Sequence, residues 1–260
     1  MNTLVFNCGS SSLKYKWIHL PSERLLAGGE AQRIGPRTAE PPRILHRRDG
    51  AETVHFCDMP DHATAFERVM ELLEREGLGA PDAMGHRVVH GGAIFENAAV
   101  MDAPAIERLR SLNGLAPLHN PPAVALLDAC RALRPGIPQV AVFDTAYHST
   151  IPPSARLYAL PGDVTERIGL RKYGFHGTRH RYVAQEAARF LGKPLERLNA
   201  VSCHLGSGGA SLCAIVEGRS VDNTMGFSPL QGLVMSTRCG DLDPALALRL
   251  LARYNADSSK

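Results

Sequence analysis

Closely spaced cysteine pairs are missing from this 260-residue chain. Cys8, Cys57, Cys130, Cys203, Cys213 and Cys239 stand far apart, with no C-x-x-C among them. That spacing offers neither a zinc knot nor the disulfide framework of a small secreted domain. Several fall on predicted buried strands, where cysteine acts as a small hydrophobe. No apolar run is long enough to span a bilayer, and no basic-then-apolar leader precedes the first strand. No membrane partner is expected, and the expected compartment is a reducing cytoplasm. Long basic runs and aromatic-basic alternation are missing too, which argues against nucleic acid as a partner. The formal charge of +3 is slight and scattered. Only His46-Arg47-Arg48 clusters, in a polar stretch that reads as a solvated loop or hairpin end.

What is present begins with a pattern written twice. Asn7-Cys8-Gly9-Ser10-Ser11-Ser12-Leu13-Lys14 follows the apolar Leu4-Val5-Phe6. His204-Leu205-Gly206-Ser207-Gly208-Gly209-Ala210-Ser211 follows Ala200-Val201-Ser202-Cys203. Each copy reads as strand, small-residue turn, strand. Small residues let backbone N–H groups crowd around an anion, and hydroxyls add donors. Two such hairpins suggest two related lobes gripping one polyphosphate, with ATP as the natural candidate. Two unrelated tight hairpins are the plainer alternative.

At this length the chain divides into two domains, read as an N-terminal α/β lobe over residues 1–150 and the start of a second over 151–260. Strands are expected near residues 25–31, 43–47, 53–57, 83–90 and 139–143. Helices are expected from the cap Asp61 to before Gly77, from Asp102 to Leu112, over 121–133, near 178–191, and over 243–254. In the helix near 178–191, Ala184, Ala187, Ala188 and Leu191 share one side. Residues 151–153 read as a linker. The second lobe has a hairpin and few helices before the sequence stops, which suggests the N-terminal part of a longer protein.

Several segments between the hairpins carry reactive side chains. In Gly85-His86-Arg87-Val88-Val89-His90, alternation puts Arg87 and Val89 on one face and His86, Val88 and His90 on the other. A guanidinium beside a small apolar side chain suits a short carboxylate, although an arginine paired with an acidic neighbour would look the same. Leu118 and His119 lie in a proline-rich loop; Leu118 suits a pocket wall and His119 an anion donor, although a lone loop histidine reads better as structural. Asp144 ends the strand Val140-Ala141-Val142-Phe143, where α/β sheets collect ligands, and suits a Mg²⁺ carried by ATP or the cap of a turn. His148 follows in the same loop without a clear role. His176 lies among small residues before a helix. Its i, i+4 spacing to His180 permits zinc, but no third ligand matches and His180 reads better as a helix residue. Arg238 sits in a small-residue loop, placed to reach into a cleft or into solvent.

In order along the chain, residues 7–14, 85–92, 116–121, 140–148, 171–180, 203–208, 222–233 and 237–244 resemble the motifs of the acetate kinases. That family has the actin/Hsp70/sugar-kinase-like fold, so the resemblance implies duplicated ribonuclease H-like lobes with the second incomplete. It implies reversible phosphoryl transfer from ATP to acetate, giving ADP and acetyl phosphate with Mg²⁺. Asn7, Ser10, Ser12 and Lys14 then belong to the first phosphate-facing hairpin, and His204, Gly206, Ser207 and Gly208 to the second. Arg87 and Arg238 bracket the carboxylate and the moving phosphoryl group. Asp144, with Asn7, lies near the metal. His176 stabilises the transition state and His119 assists. Val89, Leu118, Phe175 and Pro229 line the methyl pocket. The full-length form is implied to be a homodimer.

Ser207 stands where the family usually has Asn, and Cys239 where it usually has Ser. The family's G-G-x-G-E-N motif and late metal-site Glu would follow residue 260, so the expectation for this piece is weak or no activity. Two alternatives stay open. A propionate or butyrate kinase differs by methylenes that a pocket discriminates by only about 1–3 kcal/mol. A non-catalytic ATP-binding module would share the fold but has no need of two guanidinium groups at an acyl-sized pocket.

Overall fold

Leu4, Phe6 and Cys8 face one side of the first strand and are buried there, as a period of two requires. The computed structural model describes residues 1–36 and 38–254, with only the backbone for residues 166–168. Residues 255–260, beyond the expected last helix, lie outside the described residues. The chain forms two compact units, Met1–Ala146 and Tyr147–Lys260.

In the first unit, β1 (Asn2–Cys8), β2 (Ser12–His19), β3 (Arg24–Gln32), β4 (Arg43–Arg48) and β5 (Ala51–Phe56) make an antiparallel meander. Helix α1 (His62–Arg75) follows, capped by Asp61, whose carboxylate accepts the Thr64 N–H at 2.8 Å. Then come β6 (Ala83–Val88), β7 (Ala99–Val100), α2 (Ala103–Arg110), α3 (Asn120–Leu133) and β8 (Gln139–Phe143). The sheet order is β5-β4-β3-β2-β1-β6-β8-β7, with β1, β6 and β8 parallel. Helices α1 and α3 cover the face carrying Phe6, Tyr15 and Trp17, with Phe66, Leu73 and Met70 from α1 closing the core. A second cluster joins Val88, Ala141 and Phe143 to Ile106, Leu109 and Leu127. Meander, then parallel strands with helices between, is the arrangement expected of an actin-like α/β lobe.

In the second unit, α4 (Pro153–Arg156), α5 (Gly162–Ile168) and α6 (Gly177–Phe190) precede a three-stranded sheet of β9 (Ala200–Gly206), β10 (Gly209–Val216) and β11 (Arg219–Asn223), and α7 (Pro244–Tyr254) comes last. Ala184 and Ala188 of α6 pack with Leu198, Cys213 and Ile215. Leu191 does not join them: it is the C-cap residue of α6 and 56% exposed. Residues 151–153 run directly into α4 rather than forming a free linker.

His46 corrects an expectation. Its cluster was expected to be solvated, yet the imidazole is 1% exposed. Strand alternation turns it inward alongside Ile44, where its Nδ1 meets the Tyr15 hydroxyl at 2.6 Å and its Nε2 meets the Glu76 carboxylate at 2.9 Å. Burial, with the Glu76 charge beside it, pushes the Tyr15 phenol up. Only Arg47 keeps the exposed position.

A second buried imidazole makes the fold sensitive to acid. His86 stacks near Phe6 and is 4% exposed, and burial lowers its pKa from 6.5 to about 4, with Gln139 compensating only in part. Between those values the unfolded chain binds a proton that the native state refuses, so stability rises with pH across that window. At about 1.4 kcal/mol per pH unit, acidification through it should cost about 3 kcal/mol. Urea unfolding at a series of pH values should show this fall, and His86→Gln should flatten it. An unchanged slope in the variant would remove His86 as its source.

Candidate functional site

Parallel register builds the polar cluster of the first unit. Asn7 of β1 lies opposite Arg87 of β6, and Arg87 lies opposite Val142 of β8, two residues before Asp144. Three polar side chains therefore meet at the carboxyl ends of three adjacent strands. Arg87 Nε donates to the Asp144 carboxylate at 3.1 Å, its Nη2 donates to the same carboxylate, and its Nη1 donates to Asn7 Oδ1 at 3.0 Å. Asp144 is 3% exposed and its N–H donates to Val88 O at 3.0 Å. Arg87 and Val89 are half-buried while His86, Val88 and His90 are buried, the expected division of faces.

The strand ends are held by residues that sequence reasoning passed over. Asn120, fully buried, donates to His90 O at 3.0 Å and accepts the His90 N–H at 3.3 Å. Thr145 Oγ1 accepts the Gly91 N–H at 3.0 Å. Asn120 thus anchors the proline-rich loop, leaving His119 exposed and Leu118 72% exposed.

The first hairpin turns through residues 9–11, closed by the Gly9 N–H donating to Ser12 O at 2.8 Å. A Cβ at Gly9 would stand 2.9 Å from Ser12 Oγ, so a larger residue there would have to turn the serine side chain aside. His62 of α1, also unforeseen, reaches Gly9 O at 2.8 Å through Nε2. Its burial lowers its pKa. Ser10 is exposed and Ser12 half-buried, and Lys14, opposite Asn7, is within 3.7 Å of Glu30.

The second unit carries the other turn. Gly206 pairs with Gly209 across a two-residue turn of Ser207 and Gly208, both exposed. Ser207 O accepts from the Ser236 N–H at 3.0 Å and the Ser236 hydroxyl at 2.8 Å. Arg238 spans the neighbouring loop: Nη2 donates to Gly208 O at 2.7 Å and Nη1 to Pro229 O at 2.9 Å. Arg238 is therefore placed on the hairpin turn itself.

His176 caps α6 in the left-handed region, at φ 59°. That conformation costs a non-glycine residue about 1 kcal/mol. It is offset by a hydrogen bond of 2.9 Å between Nδ1 and Ser211 Oγ. The ring lies 4.3 Å from that of His204, and a Cβ at Gly209 would stand 3.2 Å from His176 Nε2. Glycine at 209 thus admits the imidazole to the turn. Arg179 Nη1 lies 3.1 Å from His204 Nε2; since arginine only donates, that nitrogen keeps its lone pair. Phe175 is 2% exposed, with its carbonyl accepting from His148 and Asn223. Asn7, Arg87 and Asp144 are thus assembled in the first unit, to which Val89 and Leu118 also belong. His176, His204 and Arg238 are assembled around the second turn, with Pro229.

Among the described residues no group of three His, Cys, Asp or Glu forms a metal cage, and both ring nitrogens of His180 meet serine hydroxyls. Asn7 Oδ1 and the Asp144 carboxylate are hard oxygen donors at one place. Such a pair fits a Mg²⁺ that arrives with a nucleotide and keeps most of its waters. No helix among the described residues is long and apolar enough to cross a membrane.

Comparison with known proteins identifies the company this chain keeps. The model of the Acetokinase family matches residues 2–259. An acetate kinase of Clostridium kluyveri is 47% identical over 252 residues, 95% of this chain and 61% of that protein. One of Thermotoga maritima is 46% identical over 259 residues, 97% of this chain and 63% of that protein. Among solved structures, Porphyromonas gingivalis acetate kinase superposes with a TM-score of 0.92 at 38% identity, covering 99% of this chain and 65% of that one. A propionate kinase from Francisella tularensis gives 0.92 at 36% identity, covering 99% and 66%. The chain spans about three-fifths to two-thirds of the length of these relatives.

The Arg87–Asp144 pair should behave as a coupled unit. Removing Arg87 strips a buried carboxylate of its main partner, so Arg87→Ala should cost about 1–3 kcal/mol. The Arg87→Ala/Asp144→Ala double variant should recover part of that loss in urea unfolding. Strict additivity would show that the pair does not interact.

Proposed function

This chain belongs to the Acetokinase family, and on that premise we propose that the whole protein transfers the γ-phosphoryl group of ATP to acetate, reversibly, giving ADP and acetyl phosphate. The observation that carries the reading is Arg87, oriented by Asn7 and Asp144 beyond the ends of parallel strands. A guanidinium has five N–H donors. Nε, one Nη1 hydrogen and one Nη2 hydrogen serve Asp144 and Asn7, which leaves one hydrogen on each Nη for an acyl carboxylate.

Acetate is ionised at neutral pH, so no strong general base is required. The difficulty lies in bringing two anions together and stabilising charge on the equatorial phosphoryl oxygens. Arg87 and Arg238 supply fixed positive charge, and His176 supplies a donor at the second turn. Backbone N–H groups of both small-residue turns suit phosphates. Asn7 and Asp144 would hold Mg²⁺, which neutralises phosphate charge when it arrives with ATP. Val89, Leu118, Phe175 and Pro229 remain the proposed surroundings of the methyl group.

The likeness to a propionate kinase supports a second reading, in which the acceptor is one carbon longer. A single methylene gives about 1–3 kcal/mol of discrimination.

Trapping acyl phosphate with hydroxylamine, using the whole protein and MgATP, tests both. Acetate should give product, with kcat/KM for acetate above those for propionate and butyrate. Arg87→Ala and Arg238→Ala should each lose about 10²–10³-fold in turnover, as single donors to developing charge do. A preference for propionate would move the assignment to the longer acid. ATP binding without any acyl phosphate would leave a nucleotide-binding module.

A further inference from the structure

His176 and His180 lie one helical turn apart, on the same stripe of α6 as Ala184 and Ala188. Opposite them, Ser202 of β9 and Ser211 of β10 present hydroxyls on one face of the sheet. Three hydrogen bonds run between these groups. Ser202 Oγ meets His180 Nδ1 at 2.9 Å, His180 Nε2 meets Ser211 Oγ at 2.8 Å, and Ser211 Oγ meets His176 Nδ1 at 2.9 Å. Ser211 is fully buried and His180 is 1% exposed, so an unfilled bond here would not be made good by water.

Each imidazole and each hydroxyl brings one proton, so two assignments fill all three bonds with neutral imidazoles while the Ser211 hydroxyl donates to one of the rings. In one, the Ser202 hydroxyl donates to His180 Nδ1, His180 Nε2–H donates to Ser211, and the Ser211 hydroxyl donates to His176 Nδ1. Both imidazoles then carry their proton on Nε2. In the other, every bond reverses and both carry it on Nδ1. Of the two mixed assignments, protons on His180 Nδ1 and His176 Nε2 leave one Ser211 bond without a proton. The reverse assignment makes Ser211 accept twice and turns its own hydroxyl proton away from both rings, a donor lost to the chain in a fully buried residue.

We propose that Ser211 is a positioning residue that locks His176 and His180 to the same tautomer, and that the working pattern puts the His176 proton on Nε2. The direction rests on the phosphoryl-transfer reading. His176 Nε2 is the nitrogen beside Gly209 in the second turn, and an anion there calls for a donor. Ser211 acts through His176 without touching the substrate. It also compensates the left-handed backbone of His176, so the hydroxyl sets both the place of the ring and the site of its proton.

Nitrogen-15 correlation spectra of the histidine side chains, recorded above the imidazole titration range with inorganic phosphate present, test the lock directly. In the wild type His176 and His180 should both be protonated on Nε2. Ser211→Ala should give His176 a mixture of tautomers, with kcat reduced about 10²-fold and KM for the short acid changed much less. Ser211→Thr, which keeps the hydroxyl, should restore the wild-type spectrum. Opposite tautomers at the two histidines of the wild type would overturn the lock, and so would a Ser211→Ala protein with an unaltered tautomer. The wild-type spectrum decides the coupling even if a variant does not fold. Matched tautomers in a whole protein that forms no acyl phosphate would uphold the lock and overturn the functional reading.

Discussion

Everything in the polar cluster of the first unit depends on the parallel register of β1, β6 and β8. Because Asn7, Arg87 and Val142 lie side by side, the residues at these strand ends share one edge of the sheet. A slip of one position would turn Arg87 into the core and bring His86 to the open face. The buried partners of His86 and Val88 resist that slip, since Phe6, Ala141 and Phe143 pack against them. The core thus holds the register, and the register orients a guanidinium against an almost fully buried carboxylate.

The cluster of the second unit depends on how closely a helix can approach a hairpin. Gly209 leaves room for the His176 ring, and the small side chains of Ser202, Ser211 and Ala184 let α6 settle on the sheet. The same closeness turns two serines into hydrogen-bond partners for two histidines. Polar groups buried this way are costly unless every bond is filled, which makes the network specific as well as stabilising. Ser236 and Arg238 then tie a separate loop to the carbonyls of the turn. From that loop both side chains donate to the turn.

Much of this was legible in residue order. The hairpin at 7–14 and that at 204–211 both formed, and Asp61, Asp102 and Asp243 each accept a backbone N–H at the helix starts expected of them. The faces of residues 86–90 followed from alternation alone. What escaped notice depends on distance in sequence. Asn120 clasps His90 thirty residues away, and His62 reaches Gly9 across fifty-three, and no local pattern marks either contact. His46 misled because a basic triplet looks solvated until strand pairing turns its first member inward. The serines of the histidine network escaped for a related reason. Small polar residues on a strand look like ordinary surface until a helix bearing imidazoles is laid over them.

The central claim is that both small-residue turns bind phosphate, and amide chemical shifts test it most directly. On titration with MgATP, the backbone N–H resonances of residues 9–12 and of residues 206–209 should shift together and saturate at one nucleotide concentration. Unmoved amides in both turns, with ATP bound elsewhere or not at all, would contradict it.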